Sequence, residues 1–388
     1  MMQKNLDRRT FLAGAAAGAA LSALAPRIAF AAAAGTERRF IFIIQRGAAD
    51  GLEALAPIGD PDYARLRDDL ALDPATATKL DGTFALHPSL AETAKMYAGG
   101  EALFAHAVAS PYRDRSHFDG QNVMESGGTA PYALRDGWMN RLAGLLPKTH
   151  TPPTAFAPTV PMALRGAHRV TSYAPSRLPG AGDDLLHRVE LLYQYDPQLQ
   201  AMWTAALDAR GIADSNEKSD RSSATIGKLA ATFLKKSDGP RLAMIETNGW
   251  DTHNQQARRS TQLLSGLDAM LAALRDNLGP AWAQTTVLIA TEFGRTAASN
   301  GTAGTDHGTG SLAMLIGGAV QGGRILTDWP GLGSRALYEG RDLKPTTGLD
   351  ALIAGATAEC FALDPARTGA ILFPGGISGR PAEGLIRT

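Results

Sequence analysis

The chain has 388 residues, enough for one large domain or two of ordinary size, with 44% hydrophobic and 20% charged residues, a globular balance. Lys plus Arg and Asp plus Glu each number 38, so the formal net charge is zero and the broad basic field that marks nucleic-acid binding is missing. Cys360 is the single cysteine, which excludes an intrachain disulfide and leaves stability to the hydrophobic core.

At the amino terminus Lys4, Arg8 and Arg9 precede an apolar run from Phe11 to Ala25, which Pro26 ends, and Ala29-Phe30-Ala31 offers small residues for cleavage. This is the layout of a secretory signal. The run is about 15 residues long, short of the roughly 20 needed to span a bilayer, so a stable transmembrane anchor is not expected. Arg8-Arg9-Thr10-Phe11-Leu12 resembles the twin-arginine export signal. The resemblance implies export of an already folded protein by the twin-arginine machinery, with a periplasmic or secreted product. Residues 1–31 are therefore set apart from the fold, and residues 36–388 read as a single domain.

Phe40–Ile44 is a continuous apolar run, typical of a strand buried on both faces. A helix is expected around Ser89–Tyr97 and a strand over Ala102–Ala109. Pro, Gly and Ser mark loops at Thr151–Pro161 and Ser172–Asp184, and Leu185–Leu207 has a helical apolar face. A mainly helical or loop insertion is expected at about 130–240. Arg241–Thr247 then reads as a buried strand and Asn248–Asn254 as a polar loop. From Gln255 onward Leu263, Leu267, Met270, Leu271, Leu274 and Leu278 recur at helical spacing until Gly279-Pro280. Thr285–Thr291 is a second strand, completing a βαβ unit whose strands should be parallel. A loop rich in Gly and Thr, a third strand over Ser311–Ile316 and a late helix over Leu349–Leu363 follow. The fold class is α/β: a mostly parallel central sheet with helices on both faces.

Four polar clusters stand where these strands end, and in an open α/β sheet ligands bind beyond the carboxyl ends of the strands. Asp251 and His253, two apart in a loop, are an ordinary ligand pair for zinc, manganese or iron, or else members of an Asx-type turn. Glu292 leaves the Thr285–Thr291 strand as a ligand or as the ion-pair partner of Arg295. His307 sits among small residues, as a ligand, an acid–base group or a loop-stabilising hydrogen bonder. Asp50, in a Gly-rich turn, is a ligand candidate or a plain turn residue. Ser116 and His117 are the candidate catalytic residues. A serine there either caps a helix or acts as a nucleophile assisted by a metal or a neighbouring base. Arg46, Arg113, Arg115 and Arg295 are candidates for binding an anionic group. His87 reads as a loop residue and His106 as a core histidine. No phosphate-binding loop, dinucleotide fingerprint or nucleophile elbow is present.

The segments Phe42-Ile-Ile-Gln-Arg-Gly-Ala-Ala-Asp-Gly51, Ser116-His-Phe118, Gly249-Trp-Asp-Thr-His253, Thr291-Glu-Phe-Gly-Arg295 and Thr305-Asp-His-Gly308 resemble, in order, the motifs of the family named domain of unknown function 1501. That family is similar to the alkaline phosphatase and sulfatase superfamily, an α/β sandwich that transfers phosphoryl or sulfuryl groups with the help of metal ions. The resemblance implies an alkaline-phosphatase-like fold. Asp251, His253 and His307 would then be metal ligands, Glu292 would stand where an Asp ligand ends a strand, Ser116 would be the nucleophile and Asp50 the first Asp. Phe293 stands where a His ligand is usual, Asp251 and His253 are closely spaced, and Asp50 is displaced from its strand. These departures favour one divalent ion, such as zinc, manganese or calcium, over two. The expected function is metal-dependent hydrolysis of a small anionic phosphate or sulfate ester outside the cytoplasm. The alternative is a noncatalytic exported protein that keeps the fold and binds or assembles an envelope component.

Overall fold

Strand β1, Arg39–Arg46, lies inside a nine-stranded sheet because its apolar run is completely buried. Side chains alternate between the faces of a strand: Phe40, Phe42 and Ile44 enter one core, and Ile41 and Ile43 enter the other. The computed structural model that shows this describes residues 36–147, 151–174, 183–193 and 222–387, with Asp196, Leu199, Gln200, Trp203 and Thr204. The export segment lies outside the described residues, as does much of Leu185–Leu207.

The other strands of this sheet are β2 (Ala102–Ala109), β3 (Thr154–Phe156), β4 (Thr171–Ser172), β5 (Leu242–Asn248), β6 (Thr285–Ala290), β7 (Ser311–Ile316), β8 (Arg324–Leu326) and β9 (Thr347–Gly348). Their order is β8-β2-β7-β6-β1-β5-β3-β4, with β9 also beside β2. β1 pairs in parallel with β5, Phe40 opposite Leu242, and with β6, Arg39 opposite Thr285. The strands of the βαβ unit are thus parallel but not neighbours, since β1 lies between them. Only β7 runs against the rest, antiparallel to both β2 and β6. The protein is an α/β fold with a mostly parallel, mixed sheet. A second, three-stranded sheet joins Leu55–Ala56, Ala85–Leu86 and Thr78–Lys79.

Helices cover both faces. Their ranges are α1 (Ala91–Ala98), α2 (His117–Ser126), α3 (Trp138–Ala143), α4 (Asp183–Tyr193), α5 (Ser223–Leu234), α6 (Gln256–Leu278), α7 (Leu349–Phe361) and α8 (Pro365–Leu372). α1, α5 and α6 pack on Ile41, Ile43, Ala243 and Ile245. α3, α7 and α8 pack on Phe40 and Phe42, where the Trp138 ring meets both phenylalanines edge-on at 6.3 and 5.4 Å. Leu264, Leu267, Leu271 and Leu274 form the buried stripe of α6, each contributing about 1.5–3 kcal/mol of burial. α6 also serves α1: its Asp268 accepts from the backbone N–H groups of Glu92 and Thr93 at 2.9 and 2.8 Å. Those are first-turn donors that Leu90 at the cap cannot satisfy.

The stretch at about 130–240, expected as an insertion, is described only in part. Within it β3 and β4 extend the sheet past β5, Trp138 enters the core and α5 packs against α6. Cys360 is buried with its thiol directed at the Arg39 carbonyl, and burial pushes its pKa up to about 12. No helix among the described residues is long and apolar enough to cross a membrane.

Candidate metal centre

Because β1, β2, β5 and β6 run in one direction, their carboxyl ends share one edge of the sheet. The antiparallel β7 brings its amino end, and the loop before it, to the same edge. Four loops therefore meet there. His117 opens α2 after β2, Asp251 and His253 follow β5, Glu292 follows β6, and His307 precedes β7.

The three histidines are oriented alike. His117 Nδ1 is 2.8 Å from Glu292 Oε1, His307 Nδ1 is 3.0 Å from the Arg115 carbonyl oxygen, and His253 Nδ1 is 3.3 Å from Asp306 Oδ1. A carbonyl or an ionised carboxylate only accepts, so each Nδ1 carries a proton, and the tautomer this selects places the lone pair at Nε2. Those Nε2 atoms converge: His117 and His253 each approach His307 Nε2 at 2.9 Å. Asp251 Oδ1 lies 3.1 Å from the Nε2 of His253, 3.3 Å from that of His307 and 3.5 Å from that of His117. Lone pairs held this close repel unless a proton or a metal ion sits among them. His117, Asp251 and His307 present ligand atoms all within 4.8 Å of one another, and His253 Nε2 reaches two of the three, His307 and Asp251. An outward Nε2 with Nδ1–H fixed by a carboxylate or carbonyl is the usual outer arrangement of a histidine metal ligand.

The surrounding charges keep the donors ready. Asp251 is partly buried, which favours its protonated form. The hydrogen bond and charge of Arg295, and then the imidazoles, outweigh this and hold its pKa down to about 2. Burial likewise opposes the charge on Glu292, but hydrogen bonds from His117, Gln121 and the Gly47 N–H bring its pKa below the usual range. The Glu292 bond raises the pKa of His117 against partial burial. Burial, then the charges of His117 and Arg295, lower that of His307. Phe293 stacks on the His117 ring, centroids 5.0 Å apart at 25°, so an aromatic wall fills the position where a further imidazole is expected from the family resemblance.

Several candidates hold other posts. Glu292 is fully buried behind His117, its Oε1 shared by His117, Gln121 and Gly47; it orients the His117 ring. His117, taken as a catalytic partner of Ser116, stands in the ligand cluster. Asp50 does not reach it. One carboxylate oxygen of Asp50 accepts from the Leu52 N–H at 3.0 Å, and the other binds Arg67 and Gln256. Arg295 is buried and directs its N–H groups at the carbonyls of Ala48, Gly47, Thr305 and Trp250 and at Asp251 Oδ1, 2.6 Å away. It ties loops together in place of holding an anion. Arg46 is bound by Glu125, Glu246 and Gln121, and Arg113 by the carbonyls of Ser110 and Tyr112. Arg115 pairs with Asp342 and Glu339. Ser116 is half-buried at the start of α2 and its side chain does not cap the helix.

Sequence reasoning passed over Gln121, Asp306 and Gln256. Gln121 lies one helical turn after His117 and so on the same face, a spacing that could have flagged it. Asp306 adjoins His307 in sequence but serves His253.

No curated protein matches the chain in sequence. Among solved structures, the C-terminal periplasmic domain of EcEptC from Escherichia coli, a complex with Zn, is 9% identical over 73% of each chain with a TM-score of 0.36. The PsFucS1 sulfatase from Pseudoalteromonas sp. is 11% identical over 95% of this chain and 74% of that one, with a TM-score of 0.37. A phosphonate monoester hydrolase of Agrobacterium radiobacter is 11% identical over 77% and 74%, with a TM-score of 0.30. The model of the family described as "Protein of unknown function (DUF1501)" matches residues 37–367, and the chain belongs to that family.

Proposed function

We propose that the protein is an exported metal-dependent hydrolase of phosphate or sulfate esters, with one divalent ion held by His117, His253, His307 and Asp251. The convergence of three Nε2 lone pairs and one carboxylate oxygen carries this reading. Three nitrogens and one oxygen fit zinc, and also manganese. They do not suit calcium, which takes six to eight oxygens. One ion fits better than two, because Asp50 and Glu292 are engaged elsewhere. When bound, such an ion lowers the pKa of water and offsets negative charge on a transferred group.

The chain's own contribution begins with Ser116. It adjoins His117 at the amino end of α2, where free backbone N–H groups favour an anion, and its hydroxyl is not spent on capping. Export through the twin-arginine machinery is supported by Arg8, Arg9 and the apolar run after them. A second reading, a noncatalytic exported protein that binds or assembles an envelope component, is favoured by one observation. Arg46, Arg113 and Arg295 are all turned to internal acceptors, so no arginine among these three is left for an anionic group.

The deciding experiment assays protein purified after native export against aryl phosphate and aryl sulfate esters, with zinc or manganese supplied. Turnover is expected in the wild type and lost in Ser116→Ala, with the melting temperature retained. A wild type inactive on every ester with each metal would leave the binding role.

A further inference from the structure

We propose that Gln256, on the far side of the ligand loops, is the residue that sets the spacing of the metal ligands. This rests on the metal reading above. Gln256 is completely buried at the start of α6. Its Oε1 accepts from Thr252 Oγ1 at 3.1 Å and from Thr305 Oγ1 at 2.6 Å. Its Nε2 donates to Asp50 Oδ2 at 2.6 Å and to Glu53 Oε2 at 2.7 Å. A primary amide has two donor hydrogens and two acceptor lone pairs, and here all four are used. The orientation has one solution, because a flipped amide would turn its oxygen toward the carboxylate oxygen of Asp50.

Thr252 stands between Asp251 and His253, and Thr305 stands two residues before His307. Both hydroxyl side chains point inward, exposed by 1% and 0%, while their neighbours carry the converging donors. One carbonyl oxygen thus holds two loops that are separate in sequence, and the buried carboxylates on the other side stop the amide from turning. The loops also touch directly, Thr305 N–H donating to the Thr252 carbonyl at 3.3 Å. The Gln256 N–H also donates to the Ala303 carbonyl at 2.9 Å, and the Asn300 and Thr302 side chains donate to the His253 carbonyl at 3.0 and 2.7 Å. Those bonds hold the backbones, and the pair of hydroxyl bonds to Gln256 ties the side chains that stand next to the ligands. Asp50 therefore bears on the site through Gln256, two links removed from any ligand.

The test cuts the ties without disturbing the buried carboxylates. Thr252→Val with Thr305→Val keeps shape and removes both hydroxyl donors. Zinc affinity of the full chain is read by competition with a chromophoric chelator, alongside the melting temperature of the metal-free protein. Loss of a group that bonds a metal ligand directly commonly weakens binding 10- to 100-fold; Thr252 and Thr305 act one step further out, and a loss of about 10-fold, the lower end of that range, is expected. Thr357→Val, a buried threonine within α7 whose hydroxyl bonds the Ile353 carbonyl at 2.7 Å, serves as the control for general destabilisation. It should leave zinc affinity unchanged. Cobalt in place of zinc gives a second readout: its visible spectrum should change in the double variant and not in the control. If the wild type binds zinc and the double variant binds it equally well, the inference is overturned and the metal reading stands. If the wild type binds no zinc, both fall.

Discussion

His106 is an imidazole like those at the sheet edge, with an opposite role. It is fully buried, stacked on Phe84 at 5.3 Å, with Nε2 2.9 Å from the Leu55 carbonyl and Nδ1 accepting from the Ala107 N–H at 2.8 Å. The ring is satisfied as a neutral base, and protonating Nδ1 would break the second bond. Burial lowers its pKa to about 4. An unfolded histidine takes its proton near 6.5, so between those values the unfolded chain holds more protons. Stability from this group is full above the unfolded pKa and is lost as pH falls toward 4, by about 1.4 kcal/mol per unit. Glu53 works the other way. Burial and then the neighbouring Asp50 raise its pKa, so its contribution is full below the unfolded value and declines as pH rises. The two slopes oppose each other in mildly acid solution. Urea unfolding at pH 5 and pH 6.5 should separate them: His106→Gln should lower the change in stability between these points, relative to wild type, by about 1.5 kcal/mol. An unchanged difference would mean that His106 is protonated in the fold.

At the scale of elements, α5 and α6 approach closely where Gly227 faces α6. A Cβ there would lie 2.5 Å from the Met270 carbonyl oxygen and 3.2 Å from the Ala273 Cβ. Backbone cannot yield as a flexible side chain can, so Gly227→Ala should cost about 1–3 kcal/mol despite alanine's better helix propensity. Chemical denaturation would show it, and a stabilised variant would contradict the packing. β1, β2, β5, β6 and β7 were readable beforehand because burial on both faces makes their sequences continuous apolar runs. β7 gave no sign of its direction, which depends on a crossover and not on composition. β3, β4, β8 and β9 have two or three residues each, too few for a period, and β3 lies within a Pro-rich stretch. Site residue types were readable from the strand ends, and so Asp251, His253 and His307 stood out. The posts of Asp50, Glu292 and Arg295 were not, since they depend on which loops meet. Asp50 turns to Arg67, 17 residues on, and Arg295 reaches carbonyls near residues 48 and 250. Tertiary placement alone decides between ligand, ligand-orienting group and loop tie.

Across the whole molecule, the proposed metal site joins positions 190 residues apart, from His117 to His307. An unfolded chain cannot hold them together, so an ion that binds there binds the folded state alone. Its stabilisation then follows mass action, about 2.7 kcal/mol at a free concentration of 100 times Kd. Spread over the unfolding entropy of a domain of this size, that amounts to a rise of a few degrees in melting temperature. Zinc should produce this shift in metal-free protein, and a chelator should reverse it. His307→Ala should abolish most of it, because His307 Nε2 touches both other imidazoles and Asp251. Calcium should do little, since the donor set is mainly nitrogen. Equal shifts with zinc and calcium would point to carboxylates elsewhere on the surface. No shift with any divalent ion would mean that the lone pairs at the sheet edge are bridged by protons. β1 ends at this edge, and its end sets how such an effect reaches the rest of the chain. Gly47, at the end of β1, donates to Glu292 Oε1 at 2.8 Å and its carbonyl accepts from Arg295, so stiffening the ligands stiffens the strand whose two faces carry both hydrophobic cores. The transition should therefore stay a single cooperative step as the metal is added, moving along the temperature axis without splitting.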